Sequence, residues 1–169
     1  MPKKSAGRAG ASRKPAKKAV KKTVVVSGGF DPVHIGHLRM FQEAKKLGSR
    51  LVVILNNDNW LKKKKGYAFM PEQERKEIIQ GFRDVDEVVL SFHKEDPTDM
   101  SVCAELKSLK PHVFANGGDR VRDNIPEVAT CNEIGAEIVF SIGHGGKVQS
   151  SSWLVDRLAK EKEKLGQGK

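Results

Sequence analysis

The sequence predicts an α/β protein in which a five-stranded parallel sheet lies between two layers of helices. Five short apolar runs alternate along the chain with segments whose apolar residues recur at helical spacing. The intervening segments are long enough to hold the crossover helices that parallel strands require. Together these two observations favour βαβ units with helices on both faces of the sheet, which is a three-layer sandwich.

The first two strands are expected at TVVVSG (23–28) and RLVVILN (50–56). Between them, HLRMFQEAKKLG has apolar residues on one helical face and ends at Gly48. After the second strand, NDNWLKKKKGYAFM is expected to be a loop. The segment PEQERKEIIQGF then predicts a helix with Pro71 in its first turn.

The remaining strands are expected at VDEVVLS (85–91), PHVFANGG (111–118) and AEIVFSIG (136–143). Helices are expected at PTDMSVCAELKSLK, at IPEVATCNEIG and at SSSWLVDRLAKEKEKL, which serines would cap. In a parallel sheet, ligands bind at the carboxyl ends of the strands. The polar segments that follow strands one, two, four and five are therefore predicted to border a single cleft.

The positive charge of the chain is concentrated at its start. The formal net charge is +10, and residues 1–22 hold nine Lys or Arg residues and no acidic residue, which leaves 22 basic and 21 acidic residues elsewhere. Residues 1–22 contain almost no large apolar side chain, so they are predicted to be a disordered basic tail preceding a domain at 23–165. Salt-dependent contact with a polyanion and a purely solvated tail are both consistent with this composition.

Composition also excludes several classes of protein. The longest apolar run, LVVIL, is far too short to span a membrane, so no membrane contact is expected. The basic tail is not followed by the apolar segment of a secretory signal. Cys103 and Cys131 have neither metal-binding nor redox spacing, which favours core positions in a reducing cytoplasm.

The segment GGFDPVHIGH (28–37) carries the most specific signal. Gly28 and Gly29 allow a ligand to approach the backbone, and His34 and His37 are spaced so that their rings can face one direction at a helix start. Two imidazoles beside the amides of a helix amino end would bind a phosphate chain. Gly36 leaves room for a base or ribose. A metal site would need a third ligand, and only Asp31 is near; no exposed nucleophile accompanies the histidines.

Three later segments offer further contacts. The lysine run 62–65 is either a solvated surface or a cover for phosphates, and Arg75 is either a surface residue or a partner of those lysines. The hydroxyls of GKVQSSSWL precede a helix and suggest a second phosphate site. In NGGDR, Asp119 can accept from a ribose hydroxyl and Arg120 can bind an acceptor phosphate, unless the segment is simply a polar turn.

These motifs resemble the nucleotidyltransferase superfamily with an H-x-G-H signature, in its cytidylyltransferase-like branch. That branch includes glycerol-3-phosphate cytidylyltransferases and the adenylyltransferase domain of heptose-1-phosphate enzymes. The similarity runs from about Thr23 to Leu158 and includes EAKKLGSRLVV, PEQERKEI, VDEVV, KPHVFANGGD and SSSWL. The resemblance implies a Rossmann-like domain that transfers NMP from ATP or CTP to a phosphorylated sugar or polyol, releasing pyrophosphate. Mg²⁺ is implied as the cofactor that arrives with the triphosphate, and a homodimer is implied as the assembly.

The resemblance also assigns roles by position. Four residues are expected to act on the triphosphate: His34, His37, Lys62 and Lys65. Eleven are expected to bind the nucleotide: Gly29, Phe30, Asp31, Gly36, Arg75, Gly117, Gly118, Asp119, Ser150, Ser151 and Ser152. Asn116 and Arg120 lie where residues that bind the acceptor are expected.

Three alternatives remain open from the sequence. GGFDPVHIGHL also resembles nicotinate-mononucleotide adenylyltransferases, although Trp153 and Leu154 follow the serines where those enzymes usually carry an arginine. The tetrapeptide His-Ile-Gly-His is also a signature motif of class I aminoacyl-tRNA synthetases, but the chain has no Lys-Met-Ser-Lys-Ser loop. A third hypothesis is a nucleic-acid-associated protein that binds through its basic tail and uses the domain only to sense a nucleotide.

Overall fold

The five apolar runs form one parallel sheet with the strand order β3-β2-β1-β4-β5. The computed structural model describes residues 21–118, 125–143 and 149–166. The strands are β1 (Thr23–Gly28), β2 (Arg50–Leu55), β3 (Glu87–Leu90), β4 (Val113–Gly117) and β5 (Glu137–Ile142). The helices are α1 (Ile35–Lys46), α2 (Asp58–Lys65), α3 (Glu72–Gln80), α4 (Cys103–Leu109), α5 (Glu127–Ile134) and α6 (Ser151–Gly166).

Strand alternation divides the core into two layers. Val24 and Val26 of β1 face a cluster that includes Phe41 of α1 and Ile79 of α3. Val25 faces the opposite cluster, which includes Leu106 of α4 and Cys131 of α5. Successive side chains of a strand point to opposite faces, so a run of buried valines supplies both layers. The predicted α/β, Rossmann-like sandwich with a five-stranded parallel sheet is confirmed.

The lysine-rich segment after β2 is a helix, where the sequence predicted a loop. Asn57 caps α2 by accepting a hydrogen bond from the amide of Trp60, and Gly66 ends it in the left-handed region at φ 85°. Leu61 is the apolar residue that α2 buries. The lysines at 62–65 occupy the last turn, where positive charge is favourable to the helix dipole. The prediction failed because one buried leucine among lysines gives almost no periodic signal.

Helix α4 also differs from prediction at its start. Helix α4 begins at Cys103, six residues after the start of the segment predicted to be helical. Helix α6 begins at Ser151, whose hydroxyl donates to the carbonyl of Pro32 at 2.9 Å, so this serine connects α6 to the loop after β1. Across the described segments, no helix is both long and apolar enough to cross a membrane.

Candidate functional site

A cavity of about 290 Å³ opens at the carboxyl ends of β1 and β4, where the strand order reverses direction. This is the edge of a doubly wound sheet at which ligands bind. Its walls come from the loop after β1, the start of α1, α2, the end of β4, the end of β5 and the start of α6. The lining residues predicted from the sequence are Gly29, Phe30, Asp31, His34, Gly36, His37, Lys65, Asn116, Gly117, Gly118, Ser150, Ser151 and Ser152.

The two histidines begin helix α1 and line the cavity at the same time. His34 is the N-cap: its Nδ1 accepts from the amide of Gly36 at 3.1 Å. The Nδ1 of His37 accepts from the amide of His34 at 3.3 Å, which completes a reciprocal capping box. The rings stack with centroids 3.6 Å apart and planes 23° apart. The prediction that both rings face one direction is thus confirmed. The amide of Gly36, however, is not available to a ligand, because it donates to Nδ1 of His34.

These caps fix which ring nitrogen carries the proton. Because each Nδ1 accepts a hydrogen bond, each neutral ring carries its hydrogen on Nε2. Burial lowers the pKa of His34. Burial, aided by the positive charges of His34 and Lys65, lowers the pKa of His37 to about 3. At neutral pH the pair is therefore uncharged and presents two Nε2–H donors, which suits phosphate oxygens.

Packing holds the two rings in this arrangement. Phe30 lies edge-on to His37, with centroids 4.9 Å apart and planes at 87°. A Cβ added to Gly28 would lie 2.8 Å from the Phe30 ring, so this glycine leaves room for the phenylalanine. A Cβ at Gly36 would lie 2.9 Å from Cε1 of His34. The sequence predicted that Gly36 leaves room for a base or ribose; in the structure it leaves room for the imidazole itself.

Asp31 organises the loop beside the histidines. It is 1 % exposed, and its carboxylate accepts from the amides of Phe69 at 2.8 Å and Met70 at 2.7 Å. Its carbonyl accepts from Nζ of Lys65 at 2.9 Å. Asp31 was predicted to bind the nucleotide, but its carboxylate is occupied by the chain. Lys65, whose pKa is lowered by burial, is left as the charged group beside His37.

Arg75 was predicted to contact the nucleotide, and the structure places it beneath the cavity. It is fully buried on α3. Its N–H groups donate to the carbonyls of Gly29 at 2.6 Å, Asn56 at 2.8 Å and Met70 at 2.9 Å. It also pairs with the carboxylate of Asp58 at 2.6 Å. Four of the five N–H groups of the Arg75 guanidinium thus donate to acceptors of the protein itself.

Lys62 also differs from its predicted position. It is exposed on α2 and, although within the described residues, does not line the cavity, whereas Lys65 does. One turn of helix separates the two, which places Lys65 against the loop after β1. The lysine closest to the histidines is therefore Lys65.

The side of the cavity nearest α1 and β5 is apolar and narrow. Met40 and Ile142 line it, and both belong to the core layer under α1. A Cβ added to Gly117 would lie 2.7 Å from the sulfur of Met40. Gly118 adopts φ of 73° and exposes its backbone there, whereas Gly143, at φ 102°, is buried and donates its amide to the carboxylate of Glu43. Apolar side chains beside exposed backbone suit a flat nucleobase.

Sequence reasoning missed six lining residues, which are Ser27, Met40, Trp60, Ile142, Gly143 and Gln149. Met40 follows His37 by three residues, so helical spacing could have identified it. Trp60 and Gln149 carry no such signal. Among the described residues, no group of three or more His, Cys, Asp or Glu side chains could hold a metal ion. Asp119 and Arg120 lie outside the described residues, as does most of the basic tail.

Comparison with known proteins finds a matching family model and relatives with similar sequences. Residues 25–152 match the family model described as cytidylyltransferase-like. An FAD synthase of Pyrococcus abyssi is 40% identical over 98 residues, which are 57% of this chain and 63% of the relative. A bifunctional protein HldE of Pelobacter propionicus is 34% identical over 136 residues, which are 79% of this chain and 25% of the relative. The chain thus spans less than two thirds of the length of these relatives.

Solved structures resemble the chain in fold. A lipopolysaccharide core biosynthesis protein of Thermoplasma volcanium superposes with a TM-score of 0.61 at 25% identity, covering 74% of this chain and 99% of that one. TmcAL of Thermotoga maritima, solved with alpha-thio ATP, has a TM-score of 0.60 at 13% identity, covering 83% of this chain and 51% of that one. The second likeness is one of fold.

Proposed function

This chain belongs to the cytidylyltransferase-like family, and we propose that it transfers a nucleoside monophosphate from ATP or CTP to a phosphorylated acceptor, with release of pyrophosphate. The observation that carries the proposal is the stacked His34–His37 pair. Two neutral rings, capped by backbone amides on Nδ1, present Nε2–H donors to one cavity. This arrangement binds a polyphosphate and needs no protonated imidazole.

In the proposed reaction, an oxygen of the acceptor's phosphate attacks the α-phosphorus of the nucleotide. The bond from that phosphorus to the oxygen bridging to the β-phosphate breaks, and pyrophosphate leaves with the bonding electron pair. The attacking phosphate is already an anion at neutral pH, so no general base is required. The protein's part is to position the groups and to stabilise charge, which is how most phosphoryl-type transfers are catalysed.

We assign the residues accordingly. His34 and His37 donate to the triphosphate, and Lys65 adds a positive charge beside them. The hydroxyls of Ser150, Ser151 and Ser152 border the cavity at the start of α6, a position suited to further phosphate contacts. Mg²⁺ would arrive with the triphosphate, held by its oxygens, and would neutralise part of the phosphate charge.

The relatives favour two acceptor classes. The HldE proteins suggest the sugar or polyol phosphates that the motifs indicate. The FAD synthases, at up to 40% identity, favour the phosphorylated flavin FMN, since FAD is AMP joined to FMN through a diphosphate. Both acceptors present a phosphate monoester, so the same His34–His37 site serves either reaction.

A pyrophosphate-release screen tests the proposal. ATP and CTP are each combined with Mg²⁺ and with a sugar 1-phosphate, glycerol 3-phosphate, FMN or nicotinate mononucleotide. We expect release with at least one pair, and a fall of about 10²–10³-fold in kcat for His34→Ala and for His37→Ala. His112→Ala, a change of an exposed histidine far from the cavity, should keep the wild-type rate.

The outcome that contradicts the proposal is equally clear. If the wild-type protein binds ATP or CTP but releases no pyrophosphate with any acceptor, it is a nucleotide-binding protein rather than a transferase. Full activity in either cavity-histidine variant would remove that residue from the mechanism.

A further inference from the structure

The indole ring of Trp60 is held at both of its ends. Trp60 belongs to α2 and lines the cavity. Its Nε1–H donates to the carbonyl of Met100 at 2.9 Å. At the other end of the ring, Cζ3 lies 3.5 Å from the position that a Cβ on Gly29 would occupy, so the ring lies close to the loop after β1. The hydrogen-bonding atom of the indole is therefore used within the chain, and the indole presents ring carbon to the cavity.

Side chains of α2 and its cap also fix the loop between β3 and α4, on which the indole depends. The carbonyl of His93 in this loop accepts from Nδ2 of Asn57 at 2.7 Å and from Nδ2 of Asn59 at 3.2 Å. Lys63 pairs with Asp96 of the same loop at 2.6 Å. The indole is thus an ordered wall before any ligand binds, and an ordered wall loses little conformational freedom on binding.

The strand order places this wall at one end of the cavity. Helix α2 follows β2, whereas Met40 and Ile142 line the cavity near β4 and β5. The His34–His37 pair follows β1, the strand that lies between β2 and β4. The phosphate donors therefore lie between two ends that both carry apolar side chains. Since the nucleobase suits the Met40 end, Trp60 borders the space for the second organic group.

We infer that the phosphorylated acceptor carries a planar aromatic ring, and that Trp60 is a specificity-determining residue that stacks against this ring. The inference rests on the proposed function. Aromatic rings attract an indole beyond the effect of the area that they bury. A polyol or sugar phosphate presents hydroxyl groups instead, and these lose hydrogen bonds to water when they are placed against ring carbon. FMN and nicotinate mononucleotide both have a planar ring, and the experiments compare the two.

The acceptor preference of the wild-type protein is the first test. Pyrophosphate release with ATP or CTP is measured for FMN, nicotinate mononucleotide, glycerol 3-phosphate and a sugar 1-phosphate. We expect kcat/KM for one of the two planar acceptors to exceed that for both of the others by about tenfold or more. A smaller preference, or a preference for glycerol 3-phosphate or the sugar 1-phosphate, would overturn the inference and leave the proposed function intact.

Two substitutions test Trp60 itself. Trp60→Leu keeps an apolar wall and removes the aromatic ring, so the KM of the planar acceptor should rise about tenfold or more. The KM of the nucleotide should stay within about twofold, and Trp60→Phe, which keeps a ring, should bring the acceptor KM to within about threefold of wild type. Phe92→Leu, at an aromatic residue exposed in the loop between β3 and α4, is the matched control and should change neither constant. Equal acceptor KM values for Trp60→Leu and wild type would show that no ring stacks there.

Proton NMR of the acceptor reports stacking without turnover. The ring current of an indole shifts the ring protons of a stacked ligand upfield, an effect that a merely structural role of Trp60 would not produce. FMN and nicotinate mononucleotide are each titrated with and without a non-hydrolysable analogue of ATP or CTP. At least one should show the upfield shift with the wild type and with Phe92→Leu, and lose it with Trp60→Leu.

The NMR result separates the failure of this inference from the failure of the proposed function. An upfield shift without pyrophosphate release would support the stacking site and contradict only the proposed transfer. The absence of a shift for both ligands with the wild-type protein would overturn the inference, whatever the outcome of the pyrophosphate assay.

Discussion

Arg75 provides the sharpest test of how the site is built. Its side chain is fully buried and joins the loop after β1, the end of β2, the loop before α3 and the start of α2. The substitution Arg75→Met keeps most of the side-chain volume and removes the guanidinium. It leaves the carboxylate of Asp58 and three carbonyls without their donor. We therefore expect a loss of stability and not a simple loss of nucleotide contact.

The expected loss follows from the contacts. Removing one partner of a buried ion pair that is also hydrogen-bonded costs about 3–5 kcal/mol, and the lower end of this range is expected here because the Asp58 side chain is 27% exposed and regains some water. Against a total of about 5–15 kcal/mol for a typical domain, this is a large fraction of the stability. Arg75→Lys keeps the charge but has fewer donors in a different geometry, so it should lose less than Arg75→Met.

Urea unfolding of the ligand-free protein, followed by circular dichroism, measures this loss. Arg83→Met is the matched control, because it removes one positive charge from an exposed arginine close in sequence and should change the free energy of unfolding by less than about 0.5 kcal/mol. The sequence-based expectation, that Arg75 contacts the nucleotide, predicts the opposite pattern: near wild-type stability with weak binding of ATP or CTP. An unfolding free energy for Arg75→Met within about 1 kcal/mol of wild type would refute the structural reasoning.

Two further predictions concern the histidine pair. Gly36→Ala places a Cβ 2.9 Å from the His34 ring and should displace that ring. We expect kcat/KM for pyrophosphate release to fall by about tenfold or more. The control Gly81→Ala, at the end of α3, should leave kcat/KM unchanged. The second concerns pH: the pKa of His37 is about 3 when folded and 6.5 in the reference state, so between these values the unfolded chain binds the extra proton. Wild-type stability should therefore fall as pH drops from 7 to 5, with a slope from His37 of up to about 1.4 kcal/mol per pH unit. Urea unfolding at pH 7, 6 and 5 should show a shallower fall for His37→Asn, and equal slopes would count against a neutral buried His37.

Local patterns in the sequence were sufficient to predict the sheet and the position of the cavity. Parallel strands bring their carboxyl ends to one edge, so the polar segments after strands one, two, four and five were expected to meet there. The spacing of His34 and His37 was enough to predict that their rings face one way. These inferences need only the regular geometry of strands and helices.

The roles of Arg75 and Asp31 were not predictable in this way. Each side chain binds backbone groups of segments that lie far away in sequence, such as Gly29 for Arg75 and Met70 for Asp31. A carbonyl or an amide is present at every residue, so the sequence gives no sign of which one is bound. Charged residues near a phosphate motif suggest ligand contact, and only the fold shows that these two are occupied by the chain.

The capping box at α1 has a consequence for anyone redesigning this cavity. Arginine binds anions more often than histidine does, but its side chain has no hydrogen-bond acceptor. Replacing the imidazoles by guanidinium groups would therefore leave the amides of residues 34 and 36 without their hydrogen-bond acceptors. Ligand affinity and the first turn of the helix would then change together. New anion specificity on this scaffold is better sought at Ser150 or Ser152 than at Ser151, because the Ser151 hydroxyl donates to the carbonyl of Pro32 in the loop that leads into α1.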